Sequence, residues 1–311
     1  MLQTLAQLFL SIDFLQATIR FSTPLLGASM GEAISERSGM VNVSLEGMML
    51  FGALGGVLGA HYTGNPWLGV LGAILAGGLA ALIQAFFSVT LAVNQIVVGI
   101  ALNIFALGAT TYISRTAFGL TDSPQVQGFE PLHIPVLSEI PILGEILFTQ
   151  SALVYITYLL IPIVAFALMR TEWGLKLRAV GEHPEAADSL GVSVAKMRYT
   201  AVLVCGALAG MAGSFFSLVQ LNMFVEGMTG GRGFIALAVV IVGKWTPWRL
   251  AIVALLFGML DALALRAQAL NIGLPYHLLL ALPYIVTLLV YAGLVGQARP
   301  PAALAKPYVR D

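Results

Sequence analysis

Stretches of about twenty mostly apolar residues recur along nearly the whole chain, and they decide what it can become. A hydrocarbon core of roughly 30 Å is crossed by about 20 residues of helix. Nine candidate crossings can be drawn: 14–34, 40–62, 67–91, 94–114, 150–169, 200–221, 233–245, 248–266 and 276–296. The first carries Arg20 and Pro24, and the seventh is only 13 residues long. So short an apolar segment suits a half-helix or re-entrant piece buried in protein. The expected fold class is all-α, a polytopic membrane helical bundle of about nine spans (8–10), with residues 1–311 forming one membrane domain. Composition agrees. Fifty-nine per cent of the residues are hydrophobic and 10% are charged, with a mean hydropathy of +0.91. A soluble domain carries about 25% charged residues, so a soluble enzyme or nucleic-acid-binding domain is excluded. Fifteen basic and 15 acidic residues cancel, so no polyanionic partner is implied and no nucleic acid is expected. The lone Cys205 cannot form an intrachain disulfide. No basic residue precedes Arg20, so a cleavable leader is not expected and insertion relies on the spans themselves.

Lysine and arginine favour the cytoplasmic side of a membrane protein. With the tail 297–311 inside, that side holds Arg37, Arg170, Lys176, Arg178, Lys196, Arg198, Lys244, Arg249, Arg299, Lys306 and Arg310. The outside keeps Arg20, Arg115, Arg232 and Arg266. With nine spans this bias places the C-terminus in the cytoplasm and the N-terminus outside. Two extramembrane segments then stand out. Residues 115–149 form an external loop bearing Pro124, Pro131, Pro135 and Pro141. Residues 170–199 form a cytoplasmic loop that mixes both signs of charge with helical spacing. Such a loop is either a docking surface or a solvated connector.

The chain shows no energy source of its own. The nearest approach to a phosphate-binding loop is Gly243-Lys244-Trp245, with Ala238 where the first glycine belongs and Trp in place of the hydroxyl. The Gly231–Ala236 string imitates a dinucleotide fingerprint but has no strand before it. A glycine-rich turn that lets the chain dip into the membrane is the more physical reading. His61, His133, His183 and His277 are isolated, so no metal site is expected, and no nucleophile–base pair suggests catalysis. Gly52, Gly55, Gly56 and Gly59, and Gly206 with Gly210, have the spacing of closely packed membrane helices.

Polar residues inside spans need a partner or a purpose. Asn42 and Glu46, four residues apart, share one helix face. Gln95 and Asn103 lie about 80° apart around their helix. Facing a central cavity, these four could hydrogen-bond a polyhydroxylated or heterocyclic solute and line a substrate pathway. The competing reading is bonding between helices, or capping of helix ends by Asn42 and Gln95.

In the cytoplasmic loop, Gly181 ends one segment and Pro184 fits the first turn of a short helix with Glu185 and Asp188 near its positive end. Gly191 stops that helix. This segment, Arg178 to Lys196, resembles the coupling loop of ABC importer permeases in the branched-chain amino acid, ribose and nucleoside branch. Glu36–Gly47, Asn94–Asn103 and Gly231–Gly243 followed by Pro247 resemble that family's segments in the same order, so the likeness covers roughly 20–295. Asn94–Asn103 and Ile134–Phe148 look most like the shorter permease of nucleoside or simple-sugar importers. The resemblance implies a bacterial plasma-membrane translocator that is not itself an enzyme. It binds no cofactor, and ATP belongs to separate cytoplasmic ATPase subunits. Gly181, Glu182, Pro184, Ala186, Ala187 and Gly191 would contact those subunits, with Ala186 and Ala187 fitting a groove. A second, related permease chain forming a heterodimer and an external solute-binding protein or lipoprotein are the other implied partners. The reading from another class is an ion-gradient-driven secondary transporter, which would fail with the gradient rather than with ATP. A non-transporting scaffold would carry no solute at all.

Overall fold

The computed structural model describes residues 11–119, 124–135, 137–141, 143–269, 285 and 299–309. Helix α1 spans Ile12–Arg37 and starts where Ser11 Oγ accepts from the Phe14 amide. Helix α2, Leu45–Thr63, ends at Gly64, whose φ of 66° reverses the chain. Helix α3, Pro66–Ala85, has proline at its first turn and Asn65 accepting from the Trp67 amide. It widens into a π turn at Phe86–Thr90. Asn94 accepts from the Ile96 and Val97 amides to open α4, Gln95–Phe118. A short α5, Leu143–Leu147, precedes α6, Ala152–Arg170. Then come α7, Glu172–Glu182, and α8, Pro184–Ser189. Ser193 caps α9, Val194–Phe215, which ends in a second π turn, Phe216–Gln220. The described chain closes with α10, Arg232–Val242, and α11, Pro247–Ala269.

Among the described residues there is no strand beyond one isolated bridge, Pro131 with Ser151. Five helices are long and apolar enough to cross a membrane: α3 and α9 with their π turns, α4, α6 and α11. Helix α1 is too polar to stand in lipid, and the fold removes that problem. Ser22 to Glu36 is buried without a break, because α6, α9, α10 and α11 pack around it. The expected span 276–296 lies outside the described residues.

Two expected boundaries move. The second span starts at Leu45 rather than 40, because residues 38–44 leave the helix. The sixth starts at Val194 rather than 200, so Lys196 and Arg198 sit on its first turns.

In lipid, helices associate through close packing more than through hydrophobicity, and glycine supplies it here. A Cβ on Gly52 would lie 2.3 Å from the Gly210 carbonyl oxygen, and one on Gly213 would lie 1.9 Å from that of Met49. A Cβ on Gly77 would lie 2.3 Å from the Gly206 oxygen. The expected glycine spacings are therefore the seam along which α2, α3 and α9 touch backbone to backbone. Away from that seam α3 turns Leu71, Leu75, Leu79 and Leu82 outward, a stripe at i+4 and i+3 spacing suited to lipid or another chain.

The bundle has two polar ends. One gathers the start of α1 and residues 124–151: Gln16 Nε2 donates to the Glu145 carbonyl, and the Val126 and Phe129 amides donate to the Asn222 and Leu218 carbonyls. The other gathers the α1–α2 break, α7, α8 and the tail 299–309. From the first end, residues 221–231 descend without helix into the bundle. Arg115 grips Glu226 through two hydrogen bonds of 2.7 and 2.9 Å, which hold the Glu226 carboxyl below the usual carboxylate range. Helix α10 then runs toward the α1–α2 break, where Trp245 Nε1 donates to Glu36 Oε2.

Candidate functional site

A break such as 38–44 exposes amides and carbonyls that nearby helices must satisfy. Its bonding explains three of the four polar residues proposed for the pathway. Gln95 Oε1 accepts from the Val41 amide at 2.8 Å. Asn103 clamps both sides of the turn: Nδ2 donates to the Val43 carbonyl at 2.9 Å and Oδ1 accepts from the Gly47 amide at 2.8 Å. Asn42 is fully buried. Its own amide donates to Glu32 Oε1 at 2.9 Å, and its Nδ2 points to the sulfurs of Met48 and Cys205. The helix-capping role at the start of α4 falls to Asn94 rather than Gln95.

Glu46 does the same for α10. Its Oε1 accepts from Thr229 Oγ1 at 2.6 Å and from the Gly231 amide at 2.8 Å, and its Oε2 accepts from the Gly233 amide at 2.7 Å. A helix N-terminus leaves unpaired amides and partial positive charge, and α2 supplies the carboxylate that α10 lacks in its own cap. Close approach sets the sequence here. Gly231 has φ 83°, and a Cβ on Gly233 would lie 2.4 Å from Glu46 Cα. The Gly231–Ala236 string is a turn into a short helix buried on one side.

The four residues thus come together as ties around the 38–47 and 229–233 backbone. Replacing Glu46 by alanine strands three donors, and each unsatisfied buried donor costs about 1–3 kcal/mol. Glu46→Ala should therefore lower the melting temperature of the detergent-solubilised protein clearly, and Glu46→Gln, which keeps one acceptor oxygen, should fall between. Equal melting of all three proteins would refute the capping role.

The second polar end carries the loop candidates. Thr171 caps α7 by accepting from the Gly174 amide at 3.1 Å, and Lys176 sits 2.6 Å from Glu172, whose carboxyl is thereby held low. Helix α8 is a single six-residue piece, Pro184–Ser189, preceded by His183, where α7 has ended, and followed by Gly191 with φ 84°. Pro184 and Gly191 therefore punctuate the short helix as expected, whereas Gly181 lies within α7, which runs on to Glu182. The two alanines do not behave alike. Ala186 is exposed, but Ala187 is buried against Val180 and Val194. The expectation that both methyl groups face a partner is corrected for Ala187: one side of so short a helix must cover its own chain. Gly181 is also buried, and a Cβ there would lie 2.2 Å from the Arg37 carbonyl oxygen. Glu182 and Pro184 remain accessible, Pro184 partly.

Leu190 is not singled out by the sequence. It is 85% exposed at the end of α8, beside Ala186 on the outer surface of the same loop. A leucine in a loop already rich in charge carries no periodic signal, so only its exposure singles it out. Among the described residues no three His, Cys, Asp or Glu side chains are placed to hold a metal ion.

Comparison with known proteins identifies the family of the chain. Residues 14–291 match the family model described as branched-chain amino acid transport system / permease component. Three curated relatives are similar over most of their length. The guanosine ABC transporter permease protein NupQ of Bacillus subtilis is 38% identical, over 94% of this chain and 95% of its own. The nucleoside ABC transporter permease protein NupC of Lactococcus lactis is 36% identical, over 94% and 95%. The permease protein TsgC13 of Haloferax volcanii, named for glucose, is 43% identical, over 84% and 79%. With its short α10, its glycine seam and a family match covering most of its length, the chain belongs to the branched-chain amino acid transport system / permease component family of ABC transporter permeases.

Proposed function

We propose that this chain is the shorter permease of an ATP-driven nucleoside importer in a bacterial plasma membrane. The relatives named for guanosine and nucleosides, aligned nearly end to end with it, carry the substrate reading. The 43% identity to TsgC13 supports a simple sugar as the second reading. A branched-chain amino acid remains within the family description.

About nine spans cross the bilayer, with the α7–α8 end and the tail in the cytoplasm and residues 115–149 outside. The N-terminus is then external. Two related permease chains enclose the pathway as a heterodimer, a pairing supported by NupP and NupQ, two guanosine permease proteins of one organism that both match this chain. An external binding protein or lipoprotein delivers solute to the outer loop. Cytoplasmic ATPase subunits bind the ATP and press on α8 through Glu182, Pro184, Ala186 and Leu190, while Gly181, Ala187 and Gly191 shape and seat that helix. The chain's own contribution is positional. Alternating access needs a segment that can shift without exposing bare backbone, and the Glu46–α10 and Asn103–turn ties fit that need. Asn42, Glu46, Gln95 and Asn103 border the pathway as its frame.

Uptake of labelled uridine and adenosine, in cells with and without the gene, tests the reading. Unlabelled nucleosides, ribose, glucose and leucine serve as competitors. Uptake should fall on deletion, only nucleosides should compete, and ATP depletion should abolish it. Loss of sugar uptake alone would transfer the assignment to the second reading. Collapse with the ion gradient while ATP is maintained would overturn the ATP-driven mechanism.

A further inference from the structure

Helix α8 poses a mechanical problem. At six residues it is too short to be stable alone, and it buries little besides the Ala187 methyl. A push on it would bend the loop rather than move the bundle unless something braces it.

The tail 299–309 supplies the brace. Within seven residues it bonds to four separate parts of the fold, α7, α8, α9 and the α1–α2 break. The Ala302 amide donates to Glu182 Oε2 at 3.3 Å, and the Ala303 amide donates to the Gly181 carbonyl at 2.9 Å. The Ala305 amide donates to the carbonyl of Gly39, in the α1–α2 break, at 3.1 Å. Arg198 Nη1, from α9, donates to the Lys306 carbonyl at 3.1 Å. The Tyr308 hydroxyl donates to Asp188 Oδ2 of α8 at 3.2 Å, and its ring packs on the Val180, Ala187 and Val194 cluster. The Ala303 side chain is buried, and Leu304 packs against the core that contains Leu25, Met30 and Leu177.

Arg198 is the anchor. It is only 1% exposed, and burying a guanidinium is costly unless acceptors compensate it. The Lys306 carbonyl is one such acceptor, so the tail and the buried cation need each other. Glycine marks the crossing point: a Cβ on Gly39 would lie 3.1 Å from the Ala303 carbonyl oxygen and 3.3 Å from Arg198 Nη2.

From this geometry we infer that residues 302–308, held by Arg198, form a strap that transmits movement of α8 to the α1–α2 break and to α9. The inference rests on the reading of α8 as the ATPase contact. Arg198 and Tyr308 are positioning residues in this scheme and touch no solute.

The test uses the whole complex in proteoliposomes with its delivery protein. Labelled uridine, adenosine, ribose, glucose and leucine are supplied together, so that the readout does not depend on which solute is carried. Uptake and ATP hydrolysis are measured on the same vesicles. A chain ending at residue 298, and separately Arg198→Met, should cut uptake at least tenfold while hydrolysis stays within about twofold. Arg198→Lys, which keeps a donor, should recover most of the uptake. Should the truncated chain fail to accumulate, Tyr308→Phe carries the test with one hydroxyl removed, and uptake per ATP should fall severalfold. Uptake and hydrolysis falling in proportion, or unchanged uptake in these variants, would overturn the strap. Leu190→Asp separates the two ideas. If it is defective while the tail variants are normal, the strap alone fails. If it too is normal, the ATPase contact on α8 fails first.

Discussion

Leu190→Asp should abolish ATP-driven uptake while leaving the chain inserted in the membrane at its normal level. Leu190 is 85% exposed, so nothing inside the protein depends on its side chain. An exposed leucine beside a short helix on a polar surface is the form a docking anchor takes. Anchors buried in the centre of an interface are worth about 2 kcal/mol or more, which is roughly a thirtyfold loss of association. A buried carboxylate adds its own desolvation cost to that figure. Co-purification of the ATPase subunits with the variant, together with uptake, provides the measurement. Full retention of both would remove α8 from the mechanism. Ala187→Arg is the poorer probe, because its buried methyl would disturb α8 itself.

The second large effect separates two adjacent glycines. Gly77→Ala places a methyl carbon 2.3 Å from the Gly206 carbonyl oxygen and 2.7 Å from Gly210 Cα. Backbone cannot step aside as a side chain can, so α3 and α9 must part along their length. Overpacking typically costs 1–3 kcal/mol, occasionally more, and here every neighbouring glycine contact along the seam loosens with it. Gly78→Ala meets nothing within 4 Å and gains about 1 kcal/mol of helix propensity. The expected outcome is aggregation or loss of Gly77→Ala from the membrane fraction, with Gly78→Ala at or above the wild-type level. Immunoblots of membranes and size-exclusion profiles in mild detergent read both. Equal behaviour would mean that the seam is not a tight interface.

Helices lie over eight of the nine expected segments among the described residues, and five of them are long and apolar enough to cross a membrane; apolar length is a local property, legible without knowing any neighbour. The short seventh span is α10, and its length was already the clue. Glycine spacing was legible for the same reason, although which glycine meets which was not. Partnership is where local reading stops. Asn103 serves a backbone 56 and 60 positions away, and Glu46 serves one 183 to 187 positions away. A span containing an amide looks the same whether that amide faces a solute or a turn. The start of the second span lies later than the sequence suggests because Met40, Val41 and Val43 are apolar and mask a break whose other residues are Ser38, Gly39, Asn42 and Ser44. Arg198 reads as one more charge in a cytoplasmic loop, and only the fold shows the tail covering it.

The Glu46 cap also has a consequence for synthesis. A ribosome releases residue 46 long before residue 229 exists, so α2 enters the bilayer with a carboxylate whose three donors have not yet been made. The break at 38–44 likewise waits for Gln95 and Asn103. Until those arrive, the early helices hold their polar groups in the care of water, lipid headgroups or the insertion machinery. Final assembly is therefore a late event, in which the emerging 229–233 segment closes a lock left open at the start of translation.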